Sequence, residues 1–124
     1  MDFFERKLDD KNRLTIPAEL RAELGEDRLV ITRGFENDKQ NYLHMFPEKI
    51  WNEEVEPALT GSILDKNVAD LNVQFRMGKT ISGLDAKQGR ATFEQHLLDY
   101  AGIDRDVVAV RAGKYWRVMA PSKS

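Results

Sequence analysis

The sequence predicts a mixed α+β domain made of two pseudo-equivalent β-α-β-β halves joined by two helices. Three observations carry this expectation. The order of turn, strand and helix signals in residues 3–46 returns in residues 80–119. Each pass opens on a turn crowded with polar and charged residues that runs straight into a short β-forming stretch. Between the passes, apolar residues are spaced at helical rather than alternating intervals. The expected divisions are residues 1–47 for the first half, 48–78 for the linking helices and 79–124 for the second half, all within one compact domain.

Taken in order, "FFERKL" (3–8) carries β-formers at its ends, and "RLTI" (13–16) is a short strand. Pro17 suits the first turn of a helix, Leu20 and Leu24 lie one turn apart, and Gly25 is a natural stop. "RLVITR" and "NYLHMF" are β-rich runs on either side of the polar loop "GFENDKQN". Pro47 opens "PEKIWNEEVEPAL", a helical pattern that Pro57 is expected to end or kink. In the next stretch Ile63, Leu64, Val68, Leu71, Phe75 and Met77 form one helical stripe, expected to be core. The second pass follows the first: "KTISGL", "RATF", a helix over "EQHLLDYAG", "DVVAVR", a tight "AGK" and "YWRVM". Aligning Arg13 with Arg90 sets Leu14-Thr15-Ile16 on Ala91-Thr92-Phe93 and Leu20 on Leu97.

A chain of 124 residues with 41% hydrophobic and 32% charged residues of mixed sign is one folded domain, with little material for a deep cleft. It has no cysteine, which excludes disulfides and thiolate metal sites and suits a reducing compartment. No apolar run approaches the roughly 18 residues of a membrane span, and "MDFFERKLDD" has no signal-peptide core, so cytoplasm is expected. The net charge of −2 gives no global attraction to nucleic acid. The charge is segregated, however: residues 44–72 are acidic and residues 73–117 basic, which leaves room for a locally cationic face.

Catalysis finds no constellation. His44 sits mid-strand and His96 in a helix, neither with metal-ligand spacing or a nucleophile motif, and structural roles explain both. Phosphate-binding glycine loops are absent, so no enzyme activity and no cofactor or metal is expected. The charged turn is more informative. Asp9 precedes Arg13 by four residues, and Asn12 between them tolerates positive φ. A carboxylate there can accept backbone N–H bonds and pin the guanidinium as an oriented fork. That fork suits guanine O6 and N7 in the major groove, or phosphate. Lys11 at the tip suits phosphate, and a second arginine-bearing turn spans Lys87 to Arg90.

"LDDKNRLTIPAELR" resembles the "LD-x-KGR-L-x-[IV]-P-x-x-x-R" signature of the MraZ family of bacterial transcriptional regulators, and "LDAKQGRATFEQHLLDYAGI" resembles that family's second copy. The resemblance covers nearly the whole chain. It implies two AbrB/SpoVT-type units forming a swapped-hairpin-type barrel, and a ring-shaped homo-oligomer with an octamer as the expected ring. It also implies a cytoplasmic, nucleoid-associated regulator, a repressor by expectation. Such a regulator would bind double-stranded DNA at repeated boxes upstream of the division and cell-wall gene cluster. The expected DNA-contacting residues are Arg13, Lys11, Asp9, Asn12, Lys7, Arg90 and Lys87. Asn12 stands where the family has Gly. The second turn, Asp85 to Arg90, is one residue longer than D-x-x-x-R, which predicts loss of its Asp–Arg pairing and a weaker part for Arg90. The family's "MF-x-G" start and longer C-terminal helix are also missing. An antitoxin-like protein-binding module is the alternative; such proteins carry a disordered toxin-binding tail, which "PSKS" does not provide.

Overall fold

A computed structural model describes residues 1–24, 28–35, 40–85 and 88–121. Lys87, Gly25 and the tip of the "GFENDKQN" loop lie outside the described residues. The fold is mixed α+β around an antiparallel sheet. Among the described residues, six strands form it in the order β1-β7-β8-β4-β3-β5, and β2 and β6 pair with each other apart from it. Their bounds are β1 Phe3–Lys7, β2 Arg13–Thr15, β3 Arg28–Arg33, β4 Leu43–Pro47, β5 Thr80–Gly83, β6 Arg90–Thr92, β7 Asp106–Ala112 and β8 Tyr115–Met119. The order interleaves the two passes of the sequence. β1, from the first, pairs with β7 from the second, and β5, from the second, pairs with β3 from the first.

Helices α1 (Ala18–Leu24) and α5 (Gln95–Ala101) follow β2 and β6 in turn. Each sends its leucines inward. Leu14, Ile16 and Leu20 from the first pass and Ala91, Phe93 and Leu97 from the second are buried in one core with Trp116 and Val118. Helix α5 ends at Gly102, whose φ of 64° lets its N–H bond back to Leu98 and Asp99 carbonyls.

The linking segment behaves less simply. Helix α2 (Glu48–Ile50) runs into a π-helical turn at Trp51–Val55 and then α3 (Glu56–Ala58). Pro57 distorts the helix before it, and the helix stops one residue later, at Ala58, in line with the expectation. The Pro57 ring would clash with the carbonyl four residues back in a regular α-helix, and the widened turn before it relieves that clash. Helix α4 (Lys66–Arg76) is capped by Asp65, whose Oδ1 accepts the Asn67 N–H at 2.9 Å. The cap starts the helix after Leu64, which corrects the expected core stripe. Ile63 and Leu64 stand outside the helix at 94% and 90% exposure, Leu71 and Met77 are exposed, and only Val68 and Phe75 are partly covered. Glu56 and Arg76, at 2.9 and 3.0 Å, clamp α4 against α3.

Strand β4 lies mid-sheet with both faces covered, so every residue of it is buried, His44 included. Its Leu43 and Met45 join the main core. His44 faces the helical layer, ringed by Phe35, Tyr42, Phe46, Phe75 and Tyr115. Both its nitrogens lack a hydrogen-bond partner among the described residues. Burial, and then the charge of Arg117, lowers its pKa from 6.5 to about 4. The unfolded chain therefore takes up a proton that the folded one refuses, so stability is full above pH 6.5 and is lost as pH falls toward 4. The loss is about 3 kcal/mol, on the order of 10 °C in Tm. Thermal melts from pH 7 to 4 check this, and His44→Phe is expected to flatten the fall.

Candidate nucleic-acid interface

The site is built on the β2–β6 pair. Its register sets Arg13 against Thr92, Leu14 against Ala91 and Thr15 against Arg90. Strand alternation then decides the faces. Leu14 and Ala91 are fully buried, while Arg13, Thr15, Arg90 and Thr92 share the outer side. The two arginines thus sit diagonally on one short ribbon.

Each arginine leaves a turn closed by an aspartate. In the first, Asp9 donates its N–H to the Arg13 carbonyl at 3.0 Å and Asn12 donates to the Asp9 carbonyl at 3.1 Å. Asp9 Oδ1 accepts the N–H groups of Lys11 and Arg13 at 2.9 and 2.8 Å, and Oδ2 accepts Arg13 Nε at 2.7 Å. In the second, Asp85 Oδ1 accepts the N–H groups of Gln88 and Gly89 at 2.6 and 3.1 Å, and Oδ2 accepts Arg90 Nε at 2.7 Å. The expected loss of pairing in the second turn is therefore corrected: Asp85 and Arg90 are paired as closely as Asp9 and Arg13. The reason lies in the positive-φ residue. Asn12 (φ 59°) and Gly89 (φ 62°) both stand immediately before the arginine. The count from that residue to the arginine is unchanged, and the extra residue falls on the aspartate side of it.

Reciprocal backbone bonds tie the turns together. Ile16 donates to the Gly89 carbonyl and Phe93 to the Asn12 carbonyl, both at 2.9 Å. Arg90 Nη1 also approaches Asp9 Oδ2 at 3.5 Å, so Asp9 faces both guanidinium groups. The four charged side chains are 23–36% exposed, held but reachable. Burial works against the Asp9 carboxylate, but the Arg13 N–H, the Arg13 guanidinium and the Lys11 N–H outweigh it and lower its pKa. The Arg90 guanidinium, helped by the Gln88 N–H, brings Asp85 from 3.8 down to about 2. Both carboxylates are thus ionised at neutral pH. The turns lose this support only as pH falls below 3.8, through about 2 for Asp85.

The other expected contacts are placed less centrally. Lys11 is exposed at the tip of its turn, and Asn12 Nδ2 donates to Gln95 Oε1 at 3.1 Å. Lys7 sits on β1, highly exposed beside Asp106 at 3.6 Å, and makes no hydrogen bond to the four-charge cluster among the described residues. Sequence reasoning missed two residues. Asp85 was discounted on its spacing. Arg21, four residues past Pro17, lies across the second turn, so a Cβ on Gly89 would come within 2.2 Å of Arg21 Cδ. The Arg21 side chain would have to swing aside for any larger residue, and the positive φ favours glycine there, as it favours glycine or asparagine at the equivalent position of Asn12. No group of three or more metal-ligating side chains occurs among the described residues.

Exposed ion pairs contribute little to stability, so these pairs are better understood by the geometry they impose. With Nε held on a carboxylate, a guanidinium keeps its outer edge for a second planar acceptor pair. Fold and site together define a class: an α+β domain presenting two carboxylate-held arginines side by side on positive-φ turns. Residues 2–63 match the family described as "MraZ protein, putative antitoxin-like". Among curated relatives, the "Transcriptional regulator MraZ" of Kineococcus radiotolerans is 38% identical over 107 residues, covering 86% of this chain and 71% of the relative. Its namesake in Kocuria rhizophila is 36% identical over 89% of this chain and 73% of the relative. That of Mycoplasmopsis pulmonis is 36% identical over 89% and 71%. The chain belongs to the MraZ family.

Proposed function

We propose that this chain, like the regulators it resembles, controls transcription by binding double-stranded DNA, and that the paired Asp–Arg turns are the reading surface. The observation that carries the reading is the placement of Arg13 and Arg90 on one outer face, each fixed through Nε to its own aspartate at 2.7 Å. A guanidinium fixed in this way has already lost its rotamer freedom, so presenting its fork to guanine O6 and N7 costs little more. Lys11 and Lys7 supply phosphate contacts, Arg21 supports the second turn, and Lys87 belongs to the same set. Asp10, Asp99 and Asp104 line a polar groove beside the first turn and repel phosphate from that side, which orients the duplex toward the arginines.

One protomer is not enough. Each bidentate pair gives roughly 1–3 kcal/mol of discrimination. Specific sites usually exceed non-specific DNA by about 4–10 kcal/mol. Several protomers, as a ring-shaped homo-oligomer on repeated boxes, make up the difference. In this reading the halves 1–47 and 79–124 are AbrB/SpoVT-like units that exchange strands in a swapped-hairpin barrel, with 48–78 as the linking helices. The interleaving of β1 with β7 and of β5 with β3 supports that view. Occupying promoter boxes upstream of the division and cell-wall cluster would make the protein a repressor. Competition binding on duplex from the chain's own upstream region tests this. A strong preference over unrelated duplex is expected, and equal affinity for both would remove the reading.

A further inference from the structure

The β2–β6 ribbon turns four side chains outward, and two of them are not arginines. Thr15 lies directly across from Arg90 and Thr92 directly across from Arg13, so each guanidinium has a threonine as its cross-strand neighbour. Both threonines are exposed, and neither hydroxyl makes a hydrogen bond among the described residues. The ribbon holds them stiffly. The backbone bonds from Ile16 to Gly89 and from Phe93 to Asn12 close it at both ends. From behind, the buried Ser82 hydroxyl on β5 accepts the Thr92 N–H at 2.8 Å, which ties β6 to the edge of the large sheet. Threonine suits an exposed strand in any case, but these two stand where whatever the forks meet must also meet them.

A side chain as short as threonine reaches a base edge only if the arginines beside it lie low. Here they do. Asp9 Oδ1 accepts the backbone N–H groups of Lys11 and Arg13, so the carboxylate sits at the level of the main chain, and its Oδ2 holds Arg13 Nε at 2.7 Å. Asp85, anchored on the Gln88 and Gly89 N–H groups, holds Arg90 Nε at the same distance. Each guanidinium is thus drawn down onto the ribbon rather than extended from it. Cross-strand neighbours have Cβ atoms about 4.5–5.5 Å apart, and successive bases rise by about 3.4 Å. A fork on one base pair therefore brings its threonine against the next. Threonine offers a methyl group and one hydroxyl donor. In the major groove thymine offers a C5 methyl beside the O4 acceptor, which matches both, whereas the other three bases offer no methyl.

We infer that Thr15 and Thr92 set specificity at the base pair next to each arginine's guanine, by packing the Cγ2 methyl against the C5 methyl of thymine. Resting on the DNA-binding reading above, this assignment adds a base that the forks do not read. Arginine forks distinguish guanine, and the threonines extend the discrimination to its neighbour.

The test removes methyl groups from one side of the contact at a time. Anisotropy competition is run with the full chain on its own upstream duplex, made once with thymine and once with uracil in its place. One buried methyl gives about 4-fold in affinity, so uracil is expected to weaken wild type by at least about 4-fold. Thr15→Ser/Thr92→Ser lacks the protein methyls but keeps the hydroxyls, and is expected to bind both duplexes alike. Thr15→Val/Thr92→Val keeps the methyls and is expected to keep the uracil penalty. Because both positions are exposed, both variants are expected to keep the circular dichroism and Tm of wild type. No uracil penalty in wild type, an undiminished penalty in the serine variant, or a penalty lost in the valine variant would each overturn the inference. The DNA reading is scored separately, by the preference of wild type for the thymine duplex over unrelated duplex. With that preference present and no uracil penalty, the threonine assignment alone fails; with the preference absent, both fail.

Discussion

Arg90→Ala is expected to weaken specific DNA binding about as much as Arg13→Ala. Each should cost roughly 1–3 kcal/mol per engaged protomer, about 5- to 150-fold. Counting residues from aspartate to arginine argues for a weak second turn. Geometry argues for parity, because both Nε–carboxylate distances are 2.7 Å and both arginines follow a positive-φ residue. Asp9 also faces both guanidinium groups, so the two losses are coupled rather than additive. Anisotropy competition with unrelated duplex present checks this. A loss for Arg90→Ala far below that for Arg13→Ala would show that the second turn serves the fold alone.

The larger effect is expected from the DNA rather than the protein. Cutting an operator from three boxes to one should lower affinity by about 10² to 10⁴, because each further box is met as an intramolecular event. Spacing should matter as much as number. A change of half a helical turn moves a box to the far side of the duplex, out of reach of a rigid assembly. Salt should weaken binding more steeply on three boxes than on one, since each engaged protomer releases its own counterions. A gel-shift series on one, two and three boxes, with spacing varied at fixed salt and the salt then varied at fixed spacing, measures all of this. If one isolated box bound as tightly as three, avidity would not be the source of affinity. The net charge of −2 fits this arrangement, because it disfavours adhesion of single protomers to any duplex.

Local signals made the elements legible. Pro17, Gly102 and the β-branched runs act through their own backbone preferences, so "RLTI", "DVVAVR" and the α5 stretch could be read directly. Pairing partners could not be read. Nothing in "FFERK" reports that it lies beside β7, about a hundred residues away in the chain, because long-range pairing depends on the whole sheet. The Asp85–Arg90 pair was hidden by the choice of ruler. A turn is fixed at its positive-φ residue, and counting back from Arg90 to Gly89, as from Arg13 to Asn12, gives the register. Ile63 and Leu64 were absorbed into a helical stripe because periodicity outvoted a capping signal: Asp65 followed by "KNVADL" marks where the helix begins. His44 reads as one more residue of an alternating strand. Its isolation follows from helices covering the second face of the sheet, a tertiary fact.

The most direct test of the held-fork mechanism is competition binding of Arg13→Lys/Arg90→Lys on the chain's own upstream duplex against unrelated duplex. Lysine keeps each charge and gives up the planar fork. The expected result is that affinity for unrelated duplex stays within a few-fold of wild type, while the preference for the upstream duplex is lost. A double-lysine variant that still discriminates as well as wild type would contradict it.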